Sequence, residues 1–524
     1  MSQHTAKTTH KEHKLRNNTK MSLPVNLVFS VNDHKQDIRY LSFTGDQKFL
    51  RFGAEEGVFT VTTKFAIEPA SNGLIHIRSC YDNHYWVRYS VSQPWLSASA
   101  PEPVEDQSKD NCTLFRPEIS SDAKFVRLQH VRSGLNVVMR PAGDAINAYY
   151  LCVQPSSPAT VFGCINYASL VKLHKYVRII GDNYRTSVVR TIRNKPFIQI
   201  EANGPSHDNN GFETFFTRNG NIRIKSIVPG KFLCLEQPSD TDPFSWILAD
   251  YPPESDPTNP NTLFEIVVPF LPEAISPFFP DPLALRCLGN NHFCKRYTGN
   301  TIQNCLAAET KSPEDKHIAL RFVNLAVQTY SDVTVKSFRH PRVYNIETEE
   351  LLTNQVLENR NGLNLVAYIR KDGHIHTNKQ SFSNSVNHDQ SVSNFFSIIP
   401  FLTEDGQVAI PEDNKVVSLG AKRWGTTYDT SSPKDVVMSY LLPPRSRVTA
   451  SLIAKTATFE VPFSYQVSER FFSNNGSATY NLDDGFFTGI YTYATQVRID
   501  LVEPLSTNQD SDEQVSVDQI SPAI

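Results

Sequence analysis

"GLIHIRS" at residues 73–79 and "GNIRIKS" at residues 220–226 are one phrase written twice, about 150 residues apart. Each alternates apolar and polar side chains after a glycine, the pattern of a half-buried strand leaving a turn. The match continues outward in order. "YWVRYS" (85–90) meets "FLCLEQ" (232–237), and "WLSAS" (95–99) meets "WILAD" (246–250). A Pro/Glu/Asp-rich insert ending "NCTLF" (111–115) meets one ending "NTLF" (261–264), and "KFVRLQHVRSGLNVVMR" (124–140) meets "LALRCLGNNHFCKRY" (283–297). The first 325 residues therefore read as two copies of one unit.

Inside each copy a shorter element recurs: a strand, a turn holding Gly, Asn or Asp, then an aromatic-rich strand. "QKFLRF" (47–52), "NHYWVRYS" (83–90) and "SGLNVVMR" (133–140) mark three such elements in the first copy. Three hairpin units feeding alternate residues into a shared core describe a β-trefoil, so two tandem trefoils are expected. Apolar residues in "VFGCINYASLVKLHKYV" (161–177) fall at near-helical spacing and predict a short connecting helix.

From about residue 325 the repeat stops, and Ser, Thr and Asn interleave with Val, Phe and Tyr. "SYLLPPRSRVTASLIAKTATFEVPFSYQV" (439–467) holds a long alternation after a Pro-Pro break, and "ATYNLDDGFFTGIYTYATQVRIDLVE" (478–503) predicts two strands around a "DDG" turn. Long twisted antiparallel strands follow. The whole chain is expected to be all-β: a basic disordered tail (1–24), trefoils over 25–165 and 166–324, an elongated β-module over 325–503 and an acidic disordered tail (504–524).

Composition agrees with that class. Across 524 residues, 33 Pro, 32 Phe and 20 Tyr stand against only 4 Met, a balance that favours turns and strands over helical bundles. The net charge of -3 gives no global field for nucleic acid or an anionic membrane, so membrane binding would need a receptor. No apolar segment follows the basic residues near Met1, which predicts a cytoplasmic or nucleocytoplasmic protein without a signal peptide. No run approaches the roughly 18 to 20 apolar residues of a membrane helix, which leaves a β-barrel span open. The eight cysteines, mostly alone within apolar runs, are expected as reduced, buried thiols.

Two resemblances rest on these residues. The Gly-x-x-x-Ile-x-Ser strands, the "YW" strand, the following Trp and the "LF" closing each insert resemble the agglutinin domain of amaranthin-type plant lectins, over about residues 25–324. That family carries two trefoils joined by a short helix and binds glycans containing N-acetylgalactosamine, such as the T-antigen disaccharide. "RWGTTYD" (423–429), "VPFSY" (461–465) and "DDGFFTG" (483–489) are similar to the aerolysin-like pore-forming module, as fused to amaranthin domains in plants and found in natterin-like proteins. The resemblance implies a homo-oligomer in which a Ser/Thr-rich hairpin leaves the sheet to build a transmembrane β-barrel, in a defensive role.

By position the hairpin is "SVSNFFSIIPFLTEDGQVAI" (391–410), with arms at about 391–402 and 407–420 and Glu404-Asp405-Gly406 at the tip. Its membrane candidates are Phe395, Phe396, Ile398, Ile399, Phe401, Leu402, Val408 and Ile410. Barrel strands alternate apolar and polar faces, whereas Phe395-Phe396 and Ile398-Ile399 place apolar residues on both, and Pro400 and Pro411 remove ladder donors.

Sugars stack an apolar CH face on an aromatic ring while nearby polar groups meet their hydroxyls. Asn83, His84, Tyr85, Trp86 and Trp95 are the candidates in the first trefoil, with Trp246 and Phe232 in the second, where Phe232 is read as replacing Trp86. The same rings also suit trefoil core positions. No catalytic or cofactor fingerprint appears, and His374 with His376 lacks further ligands nearby, so neither an enzyme, a cofactor nor a metal site is expected. Glycans or glycoproteins are the expected partners. A soluble stress-responsive lectin or scaffold is the other reading, and a filament-bundling trefoil protein a third.

Overall fold

The computed structural model describes residues 22–32, 37–44, 47–140, 148–155, 158–202, 211–269, 282–299, 301–325, 332–384, 393–394, 399–411, 422–423, 425–470 and 477–505. Two compact units divide near Leu170, with Tyr81–Asn83 counted in the second and Thr217–Gly220 in the first.

In the first unit, six strands close a ring: Asn26–Asn32, Lys64–Pro69, Ile75–Ser79, Phe115–Ile119, Phe125–His130 and Phe162–Asn166. Each pairs antiparallel with the next, and the last returns to the first through Leu27↔Asn166. Three hairpins cap one end: Ile38–Thr44 with Phe49–Gly53, Tyr85–Arg88 with Leu96–Ala100, and Leu135–Met139 with Leu151–Gln154. They meet one another through Phe49↔Ser97, Arg51↔Tyr150 and Trp95↔Cys152. This is a β-trefoil. Alternate residues of every strand point inward, so Leu27, Phe29, Phe65, Ile77, Trp86, Phe115, Leu128 and Phe162 form one closed core.

The second unit opens with the same topology. Tyr176–Ile180, Gly211–Phe216, Ile222–Ser226, Phe264–Val267, Ala284–Cys287 and Arg321–Asn324 form the ring, closed through the Leu283↔Leu320 bridge. Its core is mostly aliphatic, with Ile179, Ile198, Ile200, Ile222, Ile224 and Leu285. Equivalent registers correct one reading of the duplication. Arg78 pairs with Tyr85 and Lys225 with Phe232, so Phe232 stands in the place of Tyr85, and Leu233 in that of Trp86.

The expected connecting helix reduces to a single 3-10 turn, Tyr167–Ser169. Phe162–Asn166 is claimed by the first barrel as its closing strand, and the Asn166 side chain caps the turn by accepting from the Ala168 N–H at 3.0 Å.

The rest of the second unit is built on Ser446–Arg470 and Ser477–Pro504, paired from Ser446↔Pro504 to Arg470↔Ser477. Arg342–Asn359 and Asp332–Phe338 extend one side, and Asn378–Ser383 followed by Thr427–Asp429 the other. The "DDG" stretch is not the expected turn but a bulge inside one 28-residue strand, where the register slips between Phe463↔Gly485 and Tyr465↔Leu482. Side chains hold it there. The Tyr465 hydroxyl donates to Asp484 Oδ1 at 3.0 Å, and Lys172 Nζ lies 3.1 Å from Asp484 Oδ2. A Cβ on Gly485 would stand 2.5 Å from the Phe463 ring, so glycine is what lets that ring lie flat on the strand.

Candidate functional site

The structure separates the sequence candidates by depth. Trp86 is fully buried, its ring 5.2 Å from Phe29, 5.3 Å from Phe65 and 6.0 Å from Phe115, so no face is open to a ligand. Tyr85 is buried too, its hydroxyl donating to Glu68 Oε2 at 2.9 Å, and Asn83 is buried in a left-handed turn with φ 60. Closure of the Tyr85–Arg88 hairpin over the barrel puts Trp86 and Tyr85 inside, so neither is the open binding ring expected of it. His84 is half-buried, with Nδ1 3.2 Å from Lys48 Nζ.

Trp95 lies at the surface of the cap, half-buried, in an open aromatic cluster. Its ring meets Tyr150 at 6.1 Å; Tyr150 meets Phe49 at 6.4 Å; Phe49 meets Tyr89 at 4.8 Å, and Tyr89 is 39% exposed. Two guanidinium groups lean on it, Arg140 over Trp95 at 5.5 Å and Arg51 over Tyr150 at 5.3 Å. Arg140 Nε is buried without a hydrogen-bond partner among the described residues. Ser90, Ser92 and Gln93 form the adjoining turn, which Arg88 fixes by donating to the Val91 and Gln93 carbonyls at 2.6 and 3.1 Å. Tilted rings offer apolar faces, and the guanidinium and hydroxyl groups offer donors at their edge, the two requirements of a pyranose site. Sequence reasoning found Trp95 but missed Phe49, Tyr89, Tyr150 and Arg140, which come from three different hairpins and meet only when the cap closes.

A concavity of about 260 Å³ elsewhere on this trefoil shares none of those residues. Glu118, Ile119, Ser120, Phe125, Val126, Arg127 and Val161 line it, with Phe125 49% exposed beside the Glu118–Arg127 ion pair.

In the C-terminal part, Phe401 pairs with Ala409 and Leu402 with Val408 around a turn closed by Gly406 N–H donating to the Thr403 carbonyl at 2.9 Å. Gly406 has φ 81, and a Cβ there would stand 3.2 Å from Tyr493. Leu402 is buried, and Ile399, Val408 and Ile410 pack with it on Phe382, Phe459, Phe463 and Phe487; Phe401 is 44% exposed. Phe395, Phe396 and Ile398 lie outside the described residues, as does the end of the second arm.

Residues 21–155 match the family model of the Agglutinin domain. No curated protein matches the chain. Among solved structures, the chain is similar to the hemolytic lectin CEL-III, with 10% identity over 91% of this chain and 94% of that one, at a TM-score of 0.29. It is also similar to a mosquitocidal holotoxin (10% identity, 57% of this chain, TM-score 0.26) and to the parasporin-2 toxin of Bacillus thuringiensis, which recognises cancer cells (18% identity, 33% of this chain and 73% of that chain, TM-score 0.19). The chain spans about a third of the holotoxin, 34% of its length.

The agglutinin segment thus ends just after Tyr150, the last aromatic of the open cluster. In the second trefoil the counterpart of that cluster is shut. Trp246, bridged to Ala307 as Trp95 is to Cys152, is buried against Phe197, Phe244 and Tyr297, and its Nε1 donates to Asp242 Oδ1 at 3.0 Å. Trp246 was a binding candidate; Phe244 and Tyr297 occupy the space a sugar would need. Phe232 is buried as well. The rings of His374 and His376 lie 5.1 Å apart, and no group of three metal-ligating side chains occurs among the described residues.

Proposed function

We propose that this chain is a glycan-binding protein whose first trefoil engages its target through Trp95, Tyr150, Phe49 and Tyr89. Its C-terminal module, in this reading, oligomerises and releases the hairpin around residues 391–420 to form a β-barrel pore in defence. The open aromatic cluster carries the first half: four rings from three hairpins converge beside the Arg140 guanidinium, where the second trefoil has closed the same place. By resemblance the sugar is of the N-acetylgalactosamine or T-antigen type. The hairpin supports the second half, because it is a short, separately paired element lying on the long sheet rather than woven into it.

Dye-loaded liposomes with and without a T-antigen glycolipid test both halves, with light scattering to follow assembly. Leakage and oligomers are expected only on glycosylated vesicles, and Trp95→Ala should weaken glycan binding at least tenfold. Sugar binding without oligomers or leakage would remove the pore half and leave a soluble lectin or scaffold. That second reading is favoured by the packing of Ile399, Leu402, Val408 and Ile410, which suits a hairpin that stays on its sheet.

A further inference from the structure

The duplication gives each position a counterpart, and one place has changed its chemistry completely. Glu68 opposes His76 as Phe215 opposes Arg223, and Tyr85 opposes Ala100 as Phe232 opposes Tyr251. In the first trefoil the polar groups satisfy one another. Glu68 accepts from Arg78 Nε at 2.7 Å and from the Tyr85 hydroxyl at 2.9 Å, while His76 Nδ1 lies 2.8 Å from Thr113 Oγ1.

In the second trefoil Phe215 replaces the carboxylate and Arg223 replaces the histidine. Arg223 is only 7% exposed, its guanidinium carbon 3.8 Å from the centre of the Phe232 ring and 5.9 Å from that of Tyr251. Its Nε and Nη2 atoms have no hydrogen-bond partner among the described residues. Nearby carboxylates make their hydrogen bonds elsewhere, and Asp256 acts on Arg223 only through its charge. Asp250 pairs with Lys231 at 2.6 Å, Glu213 lies within 4.0 Å of both Lys175 and Lys225, and Asp256 accepts from Thr258 N–H and Oγ1 at 2.8 and 2.7 Å. Burying a guanidinium edge without acceptors is costly, and an apolar side chain would fill the space without that cost. The two unpartnered atoms form the side of the fork that grips a carboxylate with two parallel bonds. Arg296 of the same trefoil uses those two atoms to hold Asp182 at 2.7 and 2.9 Å.

We propose that Arg223 is the anchor of an acidic-sugar site in the second trefoil, its Nε and Nη2 binding the carboxylate or sulfate of a glycan whose ring lies against Phe215 and Tyr251. The ligand places its anion opposite Arg223, on the side where Glu68 stands opposite His76 in the first trefoil. Phe215, 38% exposed and 5.4 Å from Phe232, forms the outer wall, which the ligand must displace to reach the buried guanidinium edge. This site rests on the reading of the chain as a glycan binder but uses none of the residues of the Trp95 cluster, so the two can fail separately.

The full chain is titrated with an oligogalacturonide, a sulfated galactan, a neutral galactan of the same length and glycan-free phosphatidylserine vesicles. Binding of a carboxylated or sulfated saccharide at least tenfold tighter than the neutral one is expected, and the stronger acidic arm identifies the anion. Arg223→Gln should erase that preference and its salt dependence, and Arg223→Lys should restore only part of it. Trp95→Ala should leave the preference intact. Should Arg223→Gln unfold, Phe215→Glu keeps the test alive: it places a carboxylate directly opposite Arg223 on the paired strand, and should preserve the fold while abolishing acidic-sugar binding. Undiminished acidic binding by Arg223→Gln or Phe215→Glu overturns the proposal, as does binding of the anionic vesicles in preference to both acidic saccharides.

Discussion

Trp86 and Trp95 are nine positions apart and share a hairpin, yet they do opposite work. Trp86 fills the barrel, so Trp86→Ala should cost about 3–5 kcal/mol of stability by opening a cavity. Calorimetry would show this as a lowered melting transition, whereas Trp95→Ala, at the rim, should shift melting little while removing glycan binding. Strand periodicity identifies both as inward or outward on their strands but cannot say whether inward means the barrel or the cap, which is why Tyr85 and Trp86 suit both a core and a binding role by sequence alone. Histidines add a pH dependence at the same scale. Burial lowers the affinity of His76 and His130 for a proton, opposed in part by bonds to the Thr113 and Cys112 carbonyls. The unfolded chain takes up protons near pH 6.5 that these folded sites decline, so their contribution to stability is full above about pH 6.5 and is lost as pH falls below it. Urea unfolding at pH 7.5, 6.5 and 5.5 should therefore give decreasing midpoints, and His130→Gln, if it folds, should flatten that slope.

At the scale of elements, the hairpin at 399–410 is held more by side-chain burial than by its own ladder. Leu402→Ala removes one of its anchors in the aromatic core and should cost about 2–5 kcal/mol of local stability. Limited proteolysis should then cut near Thr403–Gln407 faster than in the parent protein; an unchanged cleavage rate would mean that the hairpin is secured elsewhere. Local signals misread two neighbouring elements. Asp-Gly at 484–485 is a strong turn dipeptide by itself, but Tyr465, Lys172 and the flat-lying Phe463 ring hold it within a strand, and all three are remote in sequence. Apolar spacing over 161–177 looked helical because a barrel-closing strand and the start of the next trefoil happen to follow one another there.

For the molecule as a whole, the duplication was the most legible feature, because two copies in register constrain far more than any single motif. The partnership of Phe49, Tyr89, Trp95 and Tyr150 was not legible, since it depends on three hairpins meeting across some 100 residues of chain, from 49 to 150. Net charge makes a prediction at this scale. With 51 basic and 54 acidic residues, no general attraction to anionic lipid is available, so vesicles rich in phosphatidylserine but free of glycans should neither bind the chain nor leak.

The paired strands Ser446–Arg470 and Ser477–Pro504 also set a mechanical hierarchy. A pull along their length loads many ladder bonds in parallel, whereas the 401–402/408–409 pairing can be unzipped a bond at a time. Amides at the centre of the long pair should be among the last in the chain to exchange with solvent, and those of the small hairpin among the first. The long pair is thus expected to be the slowest-opening part of its module, and the short pairing the quickest.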